Sequence, residues 1–220
     1  MVDIDKPFNF ADDANWRIFR IMAEFIAGFE FLSPLRKEVT FFGSARLPED
    51  SLWYKQAREL GYMLGEGGFT VITGGGPGIM EAGNRGAHES GGISVGLDIE
   101  LPSEQRRNPY VDKGIGFHYF FTRKVMLSAS AQAYVFFPGG FGTLDEFFEM
   151  VTLLQTKKME NVPVICMGKD FWSPMDSWIR SHLIEKYHTV SPGDTNIYTI
   201  VDSAKEAFAI LKDSKERKYF

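Results

Sequence analysis

Cysteine is almost missing from this chain of 220 residues: Cys166 stands alone. One thiol excludes an internal disulfide and any metal cluster built from cysteine alone. Histidine is scarce as well. His88, His118, His182 and His188 are scattered without HExxH-type spacing, so no metal is expected. No apolar run approaches the roughly 20 residues that cross a bilayer, which argues against a membrane partner. The opening stretch MVDIDKPFNF is acidic and lacks the basic-then-apolar layout of a signal peptide, so a cytoplasmic setting is the expectation. Positive charge is in deficit, with 24 Lys and Arg against 29 Asp and Glu for a net −5. That balance makes nucleic acid an unexpected partner.

What is present is a globular composition, 44% hydrophobic and 24% charged, enough for a large core. The length fits one domain over 1–220, with residues 1–36 as an N-terminal helical extension. Ile18, Ile21, Met22, Phe25, Ile26 and Phe29 recur at helical spacing and predict an amphipathic helix over about 11–31. Its apolar stripe needs a cover, either the sheet layer or a second subunit. Beyond it, short apolar runs alternate with helical patterns. Strands are expected at 38–43, 70–73, 93–99, 116–121, 133–137, 163–168 and 197–201, and helices near 52–66, 78–90, 122–131, 143–157, 173–187 and 203–213. This alternation predicts an α/β fold, a mostly parallel sheet of about seven strands with helices on both faces. The charged tail 212–220 reads as a frayed helix end.

Glycine-rich corners follow several strands. TVITGGGPGIMEAGNRGA (70–87) runs strand, glycine turn, helix. Gly74, Gly75, Gly76 and Gly78 allow positive φ and a close approach to a ligand. The N–H groups that open the next helix attract an anion, and a nucleotide phosphate sits at such a point in doubly wound sheets. The plainer reading is a tight turn with glycine packing. It is not a Walker A loop, because no Gly-Lys-Ser/Thr follows. It also fits a dinucleotide fingerprint poorly, since that belongs on the first strand; Asp98 stands roughly where its ribose-binding acid would.

AYVFFPGGFGTLDEFFEMVTLLQ (133–155) repeats the layout but adds two acids, Asp145 and Glu146. Thr143 with Glu146 matches the S/T-x-x-E capping box, so Glu146 could serve only its own helix start. The functional reading puts a sugar here. Breaking an N-glycosidic bond passes through a sugar cation, which a carboxylate stabilises or attacks through an activated water. FFTRKVMLSASA (120–131) sets Arg123 and Lys124 at the start of a helix, where acids are the norm. A bound anion would explain two cations there, and a solvated surface pair is the alternative. Glu149, one turn after Asp145, could face the same site. Tyr110 and the stretch RRN (106–108) could close over a ligand or stay solvated. Cys166, Phe147, Phe148 and Trp172 read as core, and Met126 as core or pocket wall.

Taken together, GGGPGIMEA, TRKVM and PGGFGTLDE resemble the Lonely Guy (LOG) family, over about residues 37–212. The PGGxGTxxE pattern at 138–146 is the most specific part, and the triple glycine alone would be weak. The resemblance implies a Rossmann-like fold and hydrolysis of a nucleoside 5′-monophosphate to free base and ribose 5-phosphate, without metal or cofactor. It implies Arg123 and Glu146 as catalytic. It implies Gly43, Ser44, Gly75, Gly76, Gly78, Met80, Lys124, Gly139, Gly140, Gly142 and Thr143 around phosphate and ribose, with Met126 flanking the base. It also implies a homodimer or higher homo-oligomer. Substrates would be N6-modified AMP such as isopentenyl-AMP, or AMP itself. A nucleotide-binding protein without turnover is the alternative, followed by a dehydrogenase. A pyridoxal-phosphate decarboxylase comes last, because no Schiff-base lysine with a partner for the pyridine nitrogen is evident.

Overall fold

The structure, a computed structural model, describes residues 14–100 and 107–217. Helix α1 (Ala14–Leu32) precedes seven strands, β1 (Glu38–Phe42), β2 (Thr70–Thr73), β3 (Ile93–Ile99), β4 (Lys113–Phe117), β5 (Ala133–Phe136), β6 (Val164–Met167) and β7 (Tyr198–Val201). Between and after them run α2 (Leu52–Glu66), α3 (Ile79–Glu89), α4 (Phe120–Ser130), α5 (Phe141–Gln155), α6 (Lys169–Trp178) and α7 (Ala204–Leu211). All seven strands join one sheet in the order β4-β3-β2-β1-β5-β6-β7, and every pairing is parallel. The chain therefore reverses direction across the sheet between β1 and β5.

Strands covered on both faces are buried throughout, and β1, β2, β5 and β6 have no exposed residue. Successive side chains feed opposite cores. Val39, Phe41, Val135 and Phe137 pack under α2, α3 and α7 with Leu60, Ile79 and Ala204. Phe42, Tyr134 and Phe136 pack on the other face with Met126, Phe147 and Trp172 from α4, α5 and α6. Phe147, Trp172 and Cys166 are fully buried as expected, whereas Phe148 is 41% exposed.

The α1 stripe is divided. Phe25 and Leu32 turn to the sheet layer, and Gly28 lies so close to Met126 that a Cβ there would sit 2.5 Å from its sulfur. Ile18, Met22, Ile26 and Phe29 stay exposed, joined by Trp16 and Phe19. Residues 11–13 of the expected helix lie outside the described residues.

The expected strand 116–121 is displaced: β4 ends at Phe117, and Phe120 and Phe121 already belong to α4. The cause is a carboxylate from far away in sequence. Glu24 on α1 accepts from His118 N (2.8 Å), Tyr119 N (3.3 Å) and the Thr122 hydroxyl (2.6 Å). It binds the N–H groups of the two residues just before α4 and the Thr122 hydroxyl in its first turn, and a carboxylate at that end favours a helix start there. Expected helix 173–187 begins earlier, at Lys169, because Gly168 (φ 107°) ends β6 and its carbonyl accepts from Trp172 N. It continues past Trp178 as a π-helix, Ile179–Lys186.

Candidate active site

A cleft of about 700 Å³ opens at the carboxyl ends of β1 and β5. This is where the strand order reverses, the place at which open α/β sheets bind ligands. Gly43, Ser44, Met80, Arg123, Lys124, Gly140, Gly142, Thr143 and Glu146 all line it, together with Gly74, Asp145, Phe120 and Phe141. The sequence therefore named most of one surface drawn from four separate segments. Gly75, Gly76, Gly78 and Gly139 belong to the same two turns but are not among the lining residues. Met126 is not part of it: it is fully buried beneath α1, so the expected contact with a base is not available to it.

The first glycine turn is held from behind. Thr73 donates to Asn84 Oδ1 (2.6 Å) and accepts from Gly75 N (2.9 Å). Asn84 Nδ2 reaches Ser94 Oγ and the Val95 carbonyl. Asn108 closes the set, its amide lying 3.1 Å from Gly75 O, 3.0 Å from Gly76 O and 3.0 Å from Asn84 Oδ1. Gly78 has φ 69° and ψ −127°, and a Cβ there would lie 2.4 Å from the Ser44 carbonyl. That carbonyl accepts from Ile79 N (3.1 Å), while Ser44 N donates to Pro138 O (3.1 Å). Ser44 thus ties the two glycine turns together.

The second turn does not form the expected capping box. α5 begins at Phe141, so Thr143 is its third residue and Glu146 its sixth, and no side chain caps its start. Glu146 is 5% exposed instead, and its Oε2 is buried with no hydrogen-bond partner. Burial pushes its carboxyl up to about 7; Lys124 and Arg123 pull the other way, and Glu149 and Asp145 add to the rise. Arg123, one turn into α4 rather than at its start, is half-buried, with Nε buried and unpartnered. Desolvation lowers its pKa, opposed by the charges of Glu146 and Asp98. Its two terminal nitrogens lie 3.8 and 3.9 Å from where a Gly74 Cβ would be. The cleft therefore holds a buried acid and a half-buried cation that the chain itself leaves partly unsatisfied, a costly arrangement for structure alone.

Lys124 is differently employed. Its Nζ lies 2.6 Å from Asp145 and 3.0 Å from Glu149. Burial works against its charge, but these two acids win and its pKa is pushed up to about 12. Asp98 approaches Gly75 and pairs with Arg107, the described part of the RRN stretch with Asn108; Arg106 lies outside the described residues. Burial raises the Asp98 pKa against the pull of Arg107 and Arg123. Tyr110 packs under the Arg85 guanidinium, 5.1 Å from the ring centroid. Sequence reasoning missed Asn84, the role of Asn108, which it named only within the RRN stretch, and Glu24. The first two carry a faint signal, asparagine among small residues (GNRGA) and asparagine before proline in a loop; Glu24 carries none. Among the described residues, no three His, Cys, Asp or Glu converge as metal ligands, and no helix is long and apolar enough to cross a membrane.

A family model described as possible lysine decarboxylase matches residues 80–211, more than half of the chain. The chain belongs to this family, the LOG family. One relative, a Mycobacterium tuberculosis protein named cytokinin riboside 5′-monophosphate phosphoribohydrolase, is 30% identical over 69% of this chain and 81% of its own. A rice LOG protein (Oryza sativa subsp. japonica), named probable cytokinin riboside 5′-monophosphate phosphoribohydrolase LOGL5, is 28% identical over 82% of this chain and 73% of its own. The molybdenum cofactor carrier protein of Chlamydomonas reinhardtii shares the fold, with TM-score 0.59 and 23% identity over 80% of this chain and 96% of that one.

Proposed function

We propose that this LOG-family chain hydrolyses the N-glycosidic bond of a nucleoside 5′-monophosphate, giving free base and ribose 5-phosphate. N6-modified AMP such as isopentenyl-AMP, or AMP itself, is the proposed substrate. The observation that carries this is Glu146, a buried carboxyl at the switch-point cleft with an unpartnered oxygen and a pKa near neutrality. A group poised near pH 7 can stabilise the developing ribosyl cation as a carboxylate or take the proton of the water that attacks C1′. Arg123, half-buried in the same cleft and with its Nε unpartnered, orients the phosphate or the sugar. The glycine turns and Ser44 supply backbone and hydroxyl groups around the phosphate, from Gly43 at one end to Thr143 at the other.

The site does not favour lysine chemistry. A Schiff-base lysine needs an uncharged amine, whereas Asp145 and Glu149 hold Lys124 charged. The exposed apolar stripe of α1 supports the further proposal of a homodimer or higher homo-oligomer, to be measured by light scattering. The main test is chromatographic: pure protein with isopentenyl-AMP, AMP, CMP and GMP, beside Glu146→Gln. Base release by wild type and a fall of at least about 10³-fold in the variant are expected. Tight AMP binding with no release by wild type would leave a nucleotide-binding protein.

A further inference from the structure

Helices α4 and α5 enter the cleft with the same layout. Phe120 is the first residue of α4 and Phe141 the first of α5. One turn later α4 offers Arg123 and Lys124, and α5 offers Asp145 and Glu146. Exposure falls from 94% at Phe141 and 58% at Phe120 to 5% at Glu146, while the Asp145 side chain stays 62% exposed. The cleft therefore has an aromatic mouth and a charged floor.

Single exposed apolar side chains are ordinary. Here two phenyl rings, one from each helix, border a cleft whose floor is ionic. The Phe120 ring is held by the Arg123 guanidinium, 5.8 Å from its centroid. Phe141 stands between Gly140 and Gly142, where added Cβ atoms would meet nothing within 4 Å, so a flat group has room beside it. A nucleoside monophosphate whose sugar lies at Glu146 and whose phosphate lies at the glycine turns points its base toward this mouth.

We propose that Phe120 and Phe141 are specificity-determining residues that hold the base by stacking, and that they favour a purine with its larger π-face. The ligand class rests on the phosphoribohydrolase reading, but the stacking does not require turnover. Stacking is tolerant of the base's polar edge. An apolar group on the purine would therefore be accommodated over the same rings rather than rejected.

The test compares two ligands that differ only in the base. Binding of AMP and of ribose 5-phosphate is measured by calorimetry on Glu146→Gln protein, with and without Phe141→Ala or Phe120→Ala. Removing either ring should weaken AMP by about fivefold or more, the low end of one lost base–aromatic stack, and leave ribose 5-phosphate within about twofold. Phe141→Tyr should restore AMP binding. Equal weakening of both ligands, or of neither, overturns the proposal. So does a smaller assembly on size exclusion accompanied by loss of both ligands, which would make the rings a contact between copies. Absence of base release from otherwise wild-type protein, with the AMP-to-sugar-phosphate difference still dependent on the rings, would sink the hydrolase reading alone.

Discussion

At the first glycine turn, residues 74–78, the backbone is gripped from behind by Thr73, Asn84 and Asn108, with every polar group of that set hydrogen-bonded. At the second, residues 138–142, Gly140 and Gly142 face open space and no side chain caps the helix that follows. The first turn is built for rigidity, and a satisfied buried network makes one conformation unique. The second leads into the buried Glu146, whose Oε2 has no hydrogen-bond partner, an arrangement that costs stability. Phosphate recognition needs fixed donors, whereas chemistry at the sugar needs a group whose charge is not already neutralised.

That contrast breaks most sharply at Glu146. Its native pKa of about 7 stands above the ordinary 4.5. The folded state therefore keeps a proton that the unfolded chain releases. The associated stability is full below about pH 4.5 and is lost as pH rises to about 7. At pH 8 the buried charge costs up to about 3 kcal/mol. Glu146→Gln should therefore raise the unfolding free energy at pH 8 while base release collapses. Denaturant melts of the two proteins at pH 8 and pH 5 check this, and a destabilised variant would return Glu146 to a structural role.

The first turn should respond in the opposite sense. Gly78→Ala must hold φ 69° and meet the Ser44 carbonyl at 2.4 Å. It should lose about 2–3 kcal/mol. Gly140→Ala, with φ −93° and open space, should stay within about 0.5 kcal/mol. Equal losses at the two positions would erase the distinction between the turns.

Asn108→Ala removes the amide shared by Gly75 O, Gly76 O and Asn84. A loss of about 1–3 kcal/mol is expected, because buried acceptors are left unpaired. Ribose 5-phosphate binding should weaken with it, which calorimetry at a temperature where the variant is folded would show.

The smallest effect belongs to Lys124. Its charge pulls the Glu146 pKa down, second only to the burial that raises it. The kcat/KM profile of wild type should rise with pH through about 7 as the carboxylate forms. Lys124→Met should carry that limb to higher pH. A limb that does not move belongs to another group, such as the substrate phosphate, which titrates near pH 6.

Much of this layout was legible from residues alone. The seven strands follow from apolar runs between glycine and helical patterns, since parallel strands buried on both faces leave few other compositions. Arg123 and Glu146 were legible as two cations and two acids set unusually at helix starts, whereas Ser44 and Met80 were named only through the family resemblance. Boundaries were not legible where a distant residue set them. β4 stops and α4 starts at the carboxylate of Glu24, about 95 positions away, and nothing near Phe117 announces it. The capping box failed because α5 starts two residues before Thr143, which carries Glu146 a turn inward. Met126 is core, as its residue type allowed, and not beside a base as the resemblance implied, because Gly28 of a helix outside the motif region packs on it.

By itself, then, the sequence determined the class of fold, the two glycine turns and the identity of the charged pair, because local periodicity and turn chemistry act over a few residues. Tertiary structure alone decided that Glu146 is buried and poised near pH 7, that Lys124 is already neutralised by Asp145 and Glu149, and that two phenyl rings border the cleft. Burial and charge proximity are sums over neighbours brought together by the sheet, and no stretch of chain carries them alone.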